Sequence, residues 1–207
     1  MLACIDSRQA RRLARAGALM LCAMAMLAAQ TITAFGDSLT AGYGVDETAA
    51  WPALVAAAHP EWTVLNAGLS GETTSGGLRR IDWVLRAKPD VVLIGLGAND
   101  GLRGQDAAQA EANLAAIIAK VRAAGAKPVL LGMRIPTSLG AEFIRSYADL
   151  YPRLAAAEHV PLLPFLLEGV AGDPALNLPD GIHPNEAGHR IIAVRVAAFI
   201  ADQLAGH

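Results

Sequence analysis

The sequence predicts an α/β fold, a five-stranded parallel sheet with helices on both faces. Three observations predict it. From residue 31 onward, apolar runs of strand length alternate with helical stretches, as in chains of βαβ units. Most of the runs are apolar at every position, the pattern of parallel strands covered on both faces. The most unusual polar residues fall in loops just after three of these runs, where ligands meet such sheets.

The first predicted strand is 31–35, followed by Gly36-Asp37-Ser38. The second is 62–66, and the stretch after it, Asn66 to Thr74, is rich in Gly, Ser and Thr. A helix over 78–86 ends at Lys88-Pro89, because the residue before a proline is pushed out of helical geometry. The third strand, 91–96, leads into Gly97-Ala98-Asn99-Asp100. The residues from Gly101 to Gln105 are expected to form a loop beside Asn99. A long helix occupies 106–124. Leu114, Ile117, Ile118 and Val121 recur at helical spacing, Asp106 is placed as its N-cap, and Gly125 stops it. The fourth strand is 129–133, with a loop from Met133 to Gly140 beyond it. Residues 141–159 are helical by composition, and Pro152 is expected to kink or interrupt them. The fifth strand is 160–163. A last helix over 185–205 carries Ile192, Val196 and Phe199 on one face.

The 207 residues are 54% hydrophobic and 17% charged, ample for one core. Net charge is -2, with no basic block after residue 15, which argues against nucleic acid as a partner. The first 29 residues differ from the rest. Arg8, Arg11, Arg12 and Arg15 precede an uncharged apolar run over 16–29 that ends in small residues, the layout of a secretory signal. The run is shorter than the roughly 20 residues a membrane span needs. An uncleaved anchor or a misassigned start is the alternative. Cleavage is expected between Ala25 and Gln30, giving a periplasmic or secreted domain of residues 30–207 with no stable membrane insertion. Cys4 and Cys22 lie in the removable segment, so the mature domain would hold no disulfide, thiolate metal site or cysteine nucleophile.

Ser38 after the first strand, together with Asp180-Gly181-Ile182-His183 near the end of the chain, supplies the side chains that acyl transfer to a hydroxyl needs. A serine hydroxyl is a weak nucleophile at neutral pH. It needs a base within hydrogen-bond reach, and the base needs a partner that holds its tautomer. His183 can be that base and Asp180 its orienter. The run is not the Gly-x-Ser-x-Gly elbow of α/β-hydrolases, since Thr40 takes the place of the last glycine.

Four segments stand in order: Gly36-Asp37-Ser38-Leu39, Gly68-Leu69-Ser70-Gly71-Glu72-Thr73, Gly97-Ala98-Asn99-Asp100 and Asp180-Gly181-Ile182-His183-Pro184. Together they resemble the four sequence blocks of the SGNH, or GDSL-type, hydrolases. Further strings bring the chain close to the bacterial periplasmic thioesterase I/protease I/lysophospholipase (arylesterase) group: Ala50-Trp51-Pro52-Ala53-Leu54, Gly101-Leu102-Arg103-Gly104, Tyr151-Pro152-Arg153-Leu154 and Val160-Pro161-Leu162-Leu163-Pro164-Phe165. The resemblance covers residues 31–204. It implies a flavodoxin-like three-layer α/β/α fold and hydrolysis of acyl esters and thioesters without metal or cofactor. Aryl esters, acyl-CoA and lysophospholipids are the implied substrates. It also implies the roles. Ser38 matches the nucleophile, and His183 and Asp180 complete the triad. The Ser38 amide, the Gly71 amide and the Asn99 side chain match the three oxyanion donors. A side chain at Gly71 would crowd the acyl oxygen. Ala98 departs from the group, standing where a second glycine is expected.

The remaining assignments are structural. Asp37 reads as a capping residue and Asp100 as a support for its loop. Trp51, Trp62 and Trp83 read as core aromatics, with Trp51 able to reach the pocket. His59, His159, His189 and His207 have no partner pattern and read as surface or capping residues. No His or carboxylate cluster has metal-ligand spacing. Ile135 and Pro136 are the candidates for touching the acyl chain. Two other readings stay open on the same scaffold: a carbohydrate O-acetyl esterase and a non-catalytic binding module.

Overall fold

The computed structural model describes residues 30–135 and 140–205. The proposed signal segment, Pro136 and His207 lie outside them. Five strands form one sheet in the order β2-β1-β3-β4-β5, every neighbouring pair parallel. They are β1 (Gln30–Gly36), β2 (Trp62–Gly68), β3 (Val91–Gly95), β4 (Lys127–Leu131) and β5 (Leu162–Leu163). The helices are α1 (Ser38–Ala41), α2 (Trp51–Ala58), α3 (Thr74–Val84), α4 (Ala98–Leu102), α5 (Ala107–Ala123), α6 (Ala141–Glu158) and α7 (Glu186–Ala205).

The chain first moves from β1 to β2 on one side, then returns past β1 to β3 and continues outward. Right-handed crossovers therefore place α2 on one face and α3, α5 and α6 on the other. The packing agrees. The α5 helix contacts both α3 and α6, while α2 packs on α7. The apolar stripe of α5, Leu114, Ile117, Ile118 and Val121, is fully buried. Strand β3 is buried through its length and β1 from Ile32 onward, whereas β2, at the sheet edge, is largely open.

Three expectations change. The α6 helix is not interrupted at Pro152. Pro152 and Ala148, whose carbonyl loses its helical donor, are both exposed, so water can satisfy that carbonyl. Trp83 is not a core aromatic; it is 62% exposed beside the open β2 edge, while Trp51 and Trp62 are buried. The segment beginning at Gly101 is not all loop, because α4 runs through Leu102 and Gly101 is buried in it. The α2 helix had no distinct signal in the sequence.

Candidate active site

Three strands end level with one another. Gly36 of β1 pairs with Gly68 of β2 and with Gly95 of β3. The segments that follow carry Ser38 at the start of α1, Gly71 in a loop and Asn99 in α4, so the register gathers them at one rim. That rim is also where the strand order reverses, the usual ligand crevice of an open parallel sheet. Gly68 allows the closeness. A Cβ there would sit 2.2 Å from the backbone nitrogen of Ala41, so any larger residue would push α1 off the sheet.

Ser38 opens α1, and Asp37 caps it by accepting the Leu39 amide at 3.0 Å. His183 arrives from the turn before α7. Asp180 Oδ1 accepts the amides of Ile182 and His183 at 2.9 and 3.0 Å, which closes that turn. The His183 ring bridges the two halves of the site: Nδ1 lies 2.7 Å from Asp180 Oδ2 and Nε2 lies 2.9 Å from Ser38 Oγ. An ionised carboxylate only accepts, so the proton of the neutral ring sits on Nδ1 and Nε2 is free to accept the serine proton. The two backbone amides and the imidazole hold the Asp180 carboxyl down at about 2.

Packing carries the imidazole to the serine. The Trp51 indole N–H donates to the Leu39 carbonyl of α1 at 3.1 Å, and the Trp51 backbone N–H donates to His189 Nδ1 of α7 at 3.2 Å. Trp51 thus ties the helix that begins at Ser38 to the helix behind His183. His189 is buried, contrary to the surface reading, and it does cap a helix, α2. Burial, with the nearby His183 as a smaller cause, lowers its pKa to about 4, which keeps it neutral.

The second loop is pinned at several points. Leu69 N–H donates to Gly36 O at 2.9 Å, and Glu72 pairs with Arg80. Arg103 Nη2 donates to Gly71 O at 2.9 Å. Gly71 has φ +76°, a left-handed conformation that glycine adopts without strain. Among the protein's own atoms a Cβ there would meet only Arg103 Nη2, at an ordinary 3.5 Å, so the backbone supplies a reason for glycine beyond crowding. Asp100 is buried and takes both the Thr74 amide (2.8 Å) and the Thr74 hydroxyl (2.6 Å), while Asn113 Nδ2 donates to that hydroxyl at 3.0 Å. This locks the Asn99 loop to the start of α3, just beyond Gly71. Asn99 Nδ2 donates to Asp37 Oδ2 at 3.2 Å. Among the described residues, the amides of Ser38 and Gly71 donate to no protein acceptor.

Residues 34–191 match the GDSL-like Lipase/Acylhydrolase family.

The chain belongs to that family.

It is a serine ester hydrolase, and its relatives carry corresponding names. It is 44% identical over 162 residues to Esterase TesA of Pseudomonas aeruginosa, covering 76% of this chain and 81% of that protein. It is 42% identical over 171 residues to the Thioesterase 1/protease 1/lysophospholipase L1 of Escherichia coli, covering 80% and 81%. Among solved structures, the psychrotrophic esterase EstA from Pseudoalteromonas sp., inhibited by monoethylphosphonate, superposes with a TM-score of 0.81 at 32% identity, covering 86% of this chain and all of that one.

A pocket of about 530 Å³ opens beside Ser38 and His183, walled by Leu39, Leu102, Ile135, Phe165, Leu167 and Ile182 together with Arg134 and Glu168. Ile135 was expected there. The Phe165, Leu167 and Ile182 walls were not, because they come from loops that only the sheet order brings together. Tyr43 was also missed: its ring centroid stands 4.5 Å from that of His183, five residues after Ser38 across the turn that ends α1. Among the described residues, no group of three or more His, Cys, Asp or Glu side chains is placed to hold a metal ion.

Proposed function

We propose that the chain hydrolyses acyl esters and thioesters through an acyl-enzyme on Ser38. His183 Nε2 takes the serine proton as Oγ attacks the acyl carbon, and Asp180 supports the imidazolium that forms. The oxyanion is received by the amides of Ser38 and Gly71 and by Asn99 Nδ2. The C–O or C–S bond then breaks as His183 returns the proton to the leaving alcohol or thiol. Water repeats the sequence and frees the acid. The observation that carries this reading is the unbroken relay from Asp180 through His183 to Ser38 at 2.7 and 2.9 Å.

The apolar side chains on the pocket wall suit an acyl chain, and Arg134 and Glu168 add a polar edge at the same opening. Apolar walls discriminate by only about 1–3 kcal/mol per methylene, so aryl esters, acyl-CoA and lysophospholipids all suit it. The names of the relatives, esterase and thioesterase 1/protease 1/lysophospholipase L1, support the same range. Residues 1–29 read as a signal peptide that would deliver the domain to the periplasm or beyond. No helix among the described residues is long and apolar enough to cross a membrane.

The test is a panel of p-nitrophenyl esters and acyl-CoA thioesters of graded length, set against acetylated sugars, with fluorophosphonate labelling alongside. Labelling confined to Ser38 and turnover of medium-chain esters are expected. Preference for acetylated sugars would move the protein to the deacetylase class, and failure to label would leave a binding module.

A further inference from the structure

Asp37 lies between the two halves of the site and is 1% exposed. Each of its oxygens has a different partner. Oδ1 accepts the Leu39 amide at 3.0 Å, at the start of the helix that carries Ser38, and Oδ2 accepts Asn99 Nδ2 at 3.2 Å. A capping role needs only the first bond, and serine, threonine or asparagine would serve for it. The second bond is what a carboxylate adds.

A carboxamide presents an oxygen and a nitrogen of nearly the same size, and its two ends can exchange by rotation. A carboxylate accepts and cannot donate. Facing Asp37, Asn99 must therefore turn its NH₂ inward and its oxygen away. The NH₂ group has two hydrogens fixed in the amide plane. Committing one to Asp37 also sets the direction of the other. We propose that Asp37 is a positioning residue for ester hydrolysis, whose carboxylate orients the Asn99 carboxamide so that its second N–H meets the acyl oxygen. The inference rests on the reading of Asn99 as an oxyanion donor. Preorganised donors of this kind need no reorientation when the charge develops.

Holding a carboxylate there is costly. Burial raises the Asp37 pKa to about 6, although the Leu39 amide, the neighbouring His183 and the Asn99 bond all oppose the rise. His183 faces it from the turn before α7. Tyr151 faces it from α6, with its hydroxyl donating to Leu96 O at 2.9 Å, and Asp100 lies near that hydroxyl. A neutral cap would avoid the burial of charge, but it would not offer Asn99 the second acceptor oxygen.

Asp37→Asn tests the proposal in the mature domain with a p-nitrophenyl acyl ester. Asparagine is the same size but cannot accept from both Leu39 and Asn99. The expected result is a kcat lower by about 10- to 100-fold, less than the roughly 10²- to 10³-fold cost of removing an oxyanion donor outright because Asn99 is misoriented rather than lost, with KM within about twofold. In an Asn99→Ala background the same change should alter kcat by less than about twofold, because nothing remains to be oriented. Wild-type kcat in Asp37→Asn, or an equal loss in both backgrounds, overturns the proposal. A wild-type kcat in Asn99→Ala alone would remove the oxyanion reading itself, and this proposal with it. If Asp37→Asn does not fold, NMR of the Asn99 side-chain amide in a His183→Ala protein replaces it. Its proton resonances should shift as Asp37 changes charge, at a pH above the ordinary carboxylate range because the side chain is buried and the opposing influence of His183 is gone. Resonances that stay fixed from pH 4.5 to 8 overturn the proposal.

Discussion

Ser38 Oγ and His183 Nε2 stand 2.9 Å apart, although 145 residues separate them along the chain. No local structure could bring them together. The contact depends on β1 lying in the middle of the sheet and on α7 returning to pack on α2, with Trp51 as the strut between them.

Removing the nucleophile should separate activity from stability. Ser38→Ala is expected to lower kcat by about 10⁴-fold or more, as loss of a triad serine does. The hydroxyl's described side-chain partner is the His183 ring, so the melting temperature should stay within about one degree. Retention of most of the activity would end the acyl-enzyme reading.

Asn99→Ala should act on kcat far more than on KM. A reduction of about 10² to 10³ is expected, because the lost interaction forms only as the carbonyl oxygen becomes charged. Equal loss on ester and thioester substrates would place the effect at the shared oxyanion.

Asp37 should make the domain less stable at neutral than at acid pH, for this group taken alone. Its folded pKa of about 6 lies above the ordinary 3.8. The stability it contributes is fully present below about 3.8 and is lost as pH rises through about 6. The difference corresponds to roughly 3 kcal/mol. Asp37→Asn should therefore be more stable than the parent at pH 8, with the gap closing toward pH 4. Denaturant unfolding at both pH values checks this.

His189 should do the reverse. Its folded pKa of about 4 lies below the ordinary 6.5, so stability present above 6.5 is lost as pH falls toward 4. Protonation would also abolish the acceptor for the Trp51 amide. His189→Asn is expected to lower stability at pH 7 but to flatten its decline between about 6.5 and 4. An unchanged acid decline would assign it to other groups.

Leu102, 41% exposed on the pocket wall, offers a test of specificity at little cost to folding. Leu102→Ser should reduce kcat/KM for octanoyl esters by about tenfold and leave acetyl esters nearly unchanged, in line with the small energy of each apolar contact. Equal loss on both would place the acyl chain elsewhere.

Most of the fold and the main residues of the site are legible in the sequence because their signals are local. Continuous apolar runs mark strands with two covered faces, and α5 shows its buried stripe at helical spacing. Ser38, Gly71, Asn99, Asp180 and His183 each stand in a short recognisable block. Other features depend on neighbours distant in the chain. Pro152 continues a helix because its side faces water, and Trp83 is exposed because β2 is an edge strand. His189 is neutral because α7 closes over it. The pocket walls and the Asp37–Asn99 bond likewise arise only where separate loops meet. The sequence determined which groups are available and on which elements they ride. Tertiary structure decided which of them touch, because strand order and register set distances that no local pattern encodes.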